Sequence, residues 1–304
     1  MSDQYFRQLP ERLQPGDLVV VNETRVRAAR LEGTRVDTGG RIELLLLENR
    51  PDGKWEALAR PARRLRPGIR IEVDEMMVVI HSGPVDGIVT LNIEASDAEG
   101  AIARTGTIPL PPYFSGDLTS DDRYQTVFAN RPGSAAAPTA GLHFTDQVLG
   151  DLTTFGVDVA TVDLHVSLDT FRPMTTRDIE DHQMHSEWCS VSEETASAIA
   201  NTRDRGGRVI AVGTTVVRTL ESMGSGNGGV NSGEMRTNLF LKPGSEFTVV
   251  DGLVTNFHMP SSTLLVLLAA FMGPRWRVAY EVALDRGYRF LSFGDAMLCF
   301  RNQT

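Results

Sequence analysis

Five of the six histidines, His143, His165, His182, His185 and His258, stand among small and polar residues after position 109. Histidine titrates near neutrality, so a side chain of this type can give or take a proton under physiological conditions. Taken singly, each also reads as a satisfied ring in a turn. DHQMHSE sets His182 and His185 three apart with Glu180, Asp181 and Glu187 beside them, a composition that suits metal ions. HExxH spacing is absent and no third ligand can be named, so acid-base or binding roles are expected and a metal site is not.

Three turns carry further polar groups. RVIAVGTTVVRTLES reads as a strand, a Gly-Thr-Thr turn and a helix, which leaves the N–H groups of a helix start and the hydroxyls of Thr214 and Thr215 beyond the strand end. Such a start binds anions. It also reads as an ordinary capped helix, with Thr214 or Thr215 as the cap and Glu221 on the surface. PGSAAAPTAGLHFTDQ joins a loop of small residues to His143 and to a helix opening at Thr145 and Asp146. VTNFHMPSSTLLVLLAAF repeats the format, with Asn256 and His258 in the turn and Ser261 or Ser262 as cap. There is no GxxxxGK[ST], no GxGxxG after a strand and no Gx[ST]xG elbow, which speaks against ATP, dinucleotide cofactors and a serine hydrolase.

The elements that must position these residues change in texture along the chain. Residues 18 to 108 read as short strands, DLVVVN, ARLEGTRV, RIELLLLE, WEALARP, IRIEV, MMVVIHS and GIVTLNIE, punctuated by Gly, Pro and Asp as in a small β-barrel or sandwich. Pro109, Pro111 and Pro112 then mark a boundary, because prolines neither propagate a helix nor donate to a ladder. Beyond them helices and strands alternate: helix 146–154, strand 157–166, helix 192–204, a strand ending at Gly213, helix TVVRTLES, strand VVDGLVTNF, helices 261–271 and 276–286, and a last strand in FLSFGDAMLCF. Alternation of this kind predicts a layered α/β domain, and GSGNGGVNSG is a surface loop by composition.

The 304 residues, 41% of them hydrophobic, are enough for two domains with real cores. The start of the sequence is charged throughout and no apolar run has membrane length, and Cys189 and Cys299 form no CxxC pattern, so a protein that is not exported, in a reducing cytoplasm, is expected. A net charge of −9 argues against binding nucleic acid through overall basicity. A local patch is a different matter: Arg60, Arg63, Arg64, Arg66 and Arg70 crowd into RPARRLRPGIR, which reads equally as a solvated basic turn or as a phosphate-facing surface.

VNETRVRAARLEG, IPLPPY, RYQTVFA, PGSAAAPTAGLHFT, DLHVSLDTFRPM, IEDHQMHSEW, RVIAVGTTVVRTLES, VVDGLVTNFHMPSSTLL and YRFLSFGDAML resemble, in order, the motifs of the S-adenosylmethionine:tRNA ribosyltransferase-isomerase family of queuosine biosynthesis. The resemblance runs from about Leu13 to Leu298. It implies a mixed layered α/β domain, here 1–28 plus 109–304, carrying a small inserted β-barrel over 29–108. The sequence departs from the family in opening shortly before LPERLQPGD, where members carry some dozens of further residues. It also reads LHVSLDTF for LHVGxGTF, so that Ser167 and Asp169 replace glycines, and Asp163 stands where threonine is usual.

The resemblance implies a reaction in which S-adenosylmethionine is a consumed substrate and no cofactor is needed. The sulfonium acidifies C5′, a base removes a proton there, adenine departs, the aminomethyl group of 7-aminomethyl-7-deazaguanine in tRNA bonds to C1′, and methionine leaves as an epoxide closes. His165 and His185 are the expected proton-transfer residues, with His143, His182 and His258 in the same site. Thr214 and Thr215 would hold the methionine carboxylate, Arg172 or Arg218 would supply a counter-charge, and Asn256 and Asp295 would contact substrate. The cluster from Arg60 to Arg70 would face the tRNA. Two alternatives stay open from the sequence: the same transfer onto a small-molecule acceptor, suggested by Ser167, Asp169 and the short start, and an inactive RNA-binding relative.

Overall fold

The structure is a computed structural model, and it describes residues 1–301 apart from 51, 86, 112, 115–119, 168–173, 175, 177 and 185. The chain forms two compact units, Met1–Arg25 with Asp117–Thr304, and Val26–Gly116.

The larger unit is built on a seven-stranded mixed sheet in the order Gly233–Thr237, Glu187–Val191, Asp158–Leu164, Leu18–Asn22, Val209–Val212, Gly252–Asn256 and Ala296–Phe300. The four middle strands are parallel, and the strands to either side of them run antiparallel. Strand Leu18–Asn22 is a continuous apolar run because both faces are covered, as parallel sheets require. Val19, Val21, Ile210, Val212 and Val254 pack on one face against Val148 and Leu152 of helix Asp146–Thr154 and against Phe144. The alternate residues Leu18, Val20, Val209 and Ala211 are equally buried on the other, as a period of two demands. Helices Glu193–Asp204 and Thr214–Ser222 also contact these strands. Among the described residues no helix is long and apolar enough to cross a membrane.

The smaller unit is a closed six-stranded barrel, Arg30–Arg35, Arg41–Asn49, Trp55–Arg60, Ile88–Glu94, Met76–Val85 and Arg70–Val73. Its strands alternate as a half-buried sheet must: Trp55, Ala57 and Ala59 point inward, as do Ile71 and Val73. A helix absent from the sequence reading, Ala98–Thr105, follows the barrel and is capped by Asp97, which accepts from the Gly100 N–H at 3.0 Å.

Candidate functional site at the strand ends

Ligands of open α/β sheets collect outside the carboxyl ends of the strands. Here the four parallel strands end at Asn22, Leu164, Val212 and Asn256, and the next residues are Glu23, His165, Gly213 and Phe257. Asn22 ties the first two ends together: its Nδ2 donates to the Leu164 carbonyl at 3.0 Å and its Oδ1 accepts from the N–H groups of Leu164 and Thr24. Ser134, in the loop of small residues, accepts from Val166 N–H at 2.9 Å and meets Thr24 Oγ1 at 2.8 Å. The polar groups of these turns are therefore held by the sheet itself.

His165 sits in a cradle. Trp188 of the neighbouring strand lies with its ring centroid 4.5 Å from the imidazole. On another side is Gly133, where any side chain would collide, since a Cβ would come within 2.1 Å of His165 Nε2. Asp163, two residues earlier on the same face, places Oδ2 3.8 Å from Nε2. Burial, and then the Glu23 carboxylate, push the Asp163 carboxyl up to about 6.

His143 belongs to a second polar group. Asn256 Nδ2 lies 3.0 Å from His143 Nε2, while Asn256 Oδ1 accepts from Thr139 at 2.9 Å. Phe6 stacks on the imidazole at 5.0 Å. Burial lowers the pKa of His143, partly opposed by the Asp295 charge, and Arg289 lowers it further. Asp295 accepts from the backbone and guanidinium of Arg289 at 2.8 and 2.9 Å, which lowers its own pKa. It is thus a charged, locally tied carboxylate.

Beyond Val212 the cap of helix Thr214–Ser222 is Gly213, and not Thr214 or Thr215 as the sequence reading allowed. Its φ of 88° with ψ of 155° is glycine territory, so the threonines become the first helical residues. Thr215 Oγ1 is buried with no hydrogen-bond partner. Thr214, Thr215 and Arg218 line a pocket closed by Met184, Phe240 and Leu267. Arg218 is 4% exposed and forms a buried ion pair with Glu187, and it also donates to the Leu239 carbonyl at 3.1 Å. Glu187 accepts in addition from the Ser167 N–H at 2.9 Å.

The remaining candidates are placed apart. His258 is buried, with Nε2 2.9 Å from Thr255 Oγ1, and its backbone N–H donates to Tyr280 Oη at 2.7 Å. Burial drives its pKa down to about 4, so it is a neutral ring packed into the protein. His182 is half-buried and packs edge-on to Phe240 at 5.3 Å. His185 and Arg172 lie outside the described residues. In the barrel unit Arg63, Arg64 and Arg66 are exposed on the connection between strands Trp55–Arg60 and Arg70–Val73, whose exposed end residues Arg60 and Arg70 flank it. The connection is pinned by Leu65, which is 1% exposed, and by Gly68 N–H donating to the Ile80 carbonyl at 2.8 Å. Arg70 is matched by Glu94 at 2.8 Å.

Sequence reasoning left out Asp163, Glu187, Trp188 and Phe6 as site residues. Only their neighbours reveal them: strand pairing brings Trp188 to His165, and helix Thr214–Ser222 brings Arg218 to Glu187. The one local signal was the Asp-x-His spacing of Asp163 and His165, which puts both on one face of a strand.

A family model described as queuosine biosynthesis protein matches residues 1–299. A relative from Gloeobacter violaceus, named S-adenosylmethionine:tRNA ribosyltransferase-isomerase, is 50% identical over 98% of this chain and 85% of its own. One from Symbiobacterium thermophilum with the same name is 49% identical over 96% of this chain and 87% of its own. A crystal structure of S-adenosylmethionine tRNA ribosyltransferase from Thermotoga maritima is similar with a TM-score of 0.50 and 36% identity, over 96% of this chain and 86% of that one. With its family model matched almost end to end, the chain belongs to the queuosine biosynthesis protein family.

Proposed function

We propose that this chain is an S-adenosylmethionine:tRNA ribosyltransferase-isomerase of the cytoplasm, which moves the ribosyl unit of S-adenosylmethionine onto 7-aminomethyl-7-deazaguanine in tRNA and isomerises it, leaving epoxyqueuosine and releasing adenine and methionine. The observation that carries this reading is the near full-length identity of about half the residues to relatives of that name. The chemistry asks for a base at C5′, an acid near adenine and exclusion of water, and for no metal or redox cofactor.

His165, clamped beside a carboxylate, serves as the base, and His185 as its partner in proton transfer. His143, whose pKa is lowered, is suited to a neutral hydrogen-bonding role with Asn256 and Asp295 against the nucleoside. The helix start at Thr214 and Thr215, with the unpartnered Thr215 hydroxyl, receives the methionine carboxylate. Because Glu187 already balances Arg218, the counter-charge for that carboxylate falls to Arg172. His182 packs on Phe240, which lines the same pocket as Thr214 and Thr215, and the enclosed, neutral His258 has a structural role. The exposed arginine turn of the barrel meets tRNA phosphates.

The test is incubation with S-adenosylmethionine, with and without tRNA bearing the aminomethyl deazaguanine, followed by mass spectrometry. Tethered epoxyqueuosine with free adenine and methionine is the expected outcome. Release of S-adenosylhomocysteine would mean methyl transfer and overturn the proposal, and adenine release equal in both arms would mean that the ribosyl unit passes to water without tRNA, which would also overturn it.

A further inference from the structure

The Asp163 carboxyl is 3% exposed, and its Oδ1 has no hydrogen-bond partner. Facing it are Thr24 and Glu23 from the end of the central strand, Arg131 from strand Arg131–Ser134, Glu234 from the edge strand, and His165. Two of these are carboxylates. Arg131 is turned to Glu23 at 3.8 Å, with 60% of its side chain exposed. Desolvation and like charge oppose the ionised form of an aspartate here and outweigh the Arg131 charge and a hydrogen bond from Thr24, which favour it. A cation arriving at His165 relieves both.

The imidazole is held where it can be that cation. Trp188 covers it at 4.5 Å, and the absent side chain of Gly133 leaves room for the ring with Nε2 directed between glycine and carboxylate. At 3.8 Å the two groups make an ion pair once the ring is protonated, rather than a hydrogen bond within a neutral pair.

We propose that Asp163 is a positioning residue for His165, a buried carboxylate kept to stabilise the imidazolium that forms when His165 takes a proton. On the ribosyltransferase reading, on which the activity arm below rests, the proton leaves C5′ for the ring while Asp163 stays ionised throughout. Asp163 does not touch substrate and takes no proton itself.

The experiment is NMR titration of the histidine rings in the full chain, wild type against Asp163→Asn, with His165→Ala to assign the His165 signal. The His165 midpoint should fall by about one pH unit in Asp163→Asn. Turnover should drop by about tenfold, the equivalent of that shift, with KM for S-adenosylmethionine unchanged. In the reciprocal measurement on His165→Ala, the Asp163 carboxyl midpoint should rise as its cation is lost. An unmoved His165 midpoint in folded Asp163→Asn overturns the proposal; should that variant fail to fold, an unmoved Asp163 midpoint in His165→Ala overturns it. If both midpoints move while wild type releases no adenine, the pair is supported and the ribosyltransferase reading is what fails.

Discussion

His165 and His258 are the same residue type in two environments with opposite consequences. His165 keeps about a third of its side chain exposed at a strand end, beside a carboxylate. His258 is enclosed and neutral. His165→Ala should therefore leave the melting temperature and S-adenosylmethionine affinity nearly intact while lowering turnover by on the order of a hundredfold. A destabilised variant with normal turnover per folded molecule would make His165 structural. For His258 the effect belongs to stability. Its folded pKa of about 4 lies below the ordinary 6.5, so its contribution is complete above pH 6.5 and is lost as the pH falls through about 4. Asp163 has the opposite sign, its raised carboxyl favouring the fold below the ordinary 3.8 and losing that contribution as the pH rises through about 6. His258→Gln should flatten the fall in melting temperature between pH 6.5 and 4.5. An unchanged slope would assign acid sensitivity to another group.

At the scale of elements, strand ends set where chemistry can occur and helices supply what lies behind them. Helix Thr214–Ser222 shows both roles, presenting Thr214 and Thr215 at its start while its next turn sends Arg218 to Glu187 of strand Glu187–Val191. Removing one member of a buried ion pair leaves the other uncompensated, at a cost of about 3–5 kcal/mol. Arg218→Met should lower unfolding free energy by that amount in denaturant titrations. A loss under about 1 kcal/mol would mean that water reaches Glu187 when its partner goes. The same helix was legible in the sequence to within one residue, its cap being Gly213 rather than a threonine, and Asp146–Thr154 was legible at the observed residues, because apolar spacing and a small turn mark both. Strand Gly233–Thr237 was not legible: it is an edge strand with four exposed residues, so no apolar alternation signals it. In Glu187–Val191 the inward face begins with a glutamate whose partner is 31 residues away, which breaks the pattern read locally. Helix Ala98–Thr105 buries just Ala101 and Ile102 and contains a glycine, too little for periodicity to show. The site followed the same rule. The Gly-Thr-Thr turn, Asn256 and His165 could be placed at strand ends from sequence, whereas the enclosure of His258 depends on Tyr280, a helix away.

For the whole molecule the governing quantity is charge. A protein of net −9 repels a polyanion at long range, so any approach of tRNA must be led by a local surface of opposite sign. The barrel turn from Arg60 to Arg70 has that character: five exposed arginines stand on a segment fixed by buried Leu65, and Arg70 is turned to Glu94 in an ion pair. A turn held in this way presents its charges without a large ordering cost on binding. Replacing Arg63 and Arg64 together with glutamine removes two charges and leaves Leu65 and the turn's backbone bonds in place, so the fold should be unaffected. If both arginines meet phosphates, tRNA affinity should fall and the slope of log affinity against log salt should become shallower by roughly 1.5 to 2, since each phosphate contact releases close to one counterion. Steady-state S-adenosylmethionine binding should not change. Filter binding or fluorescence anisotropy across about 50–200 mM salt checks this. An affinity that drops without a change in slope would implicate shape rather than charge, and an affinity that does not drop at all would remove this turn from the tRNA interface.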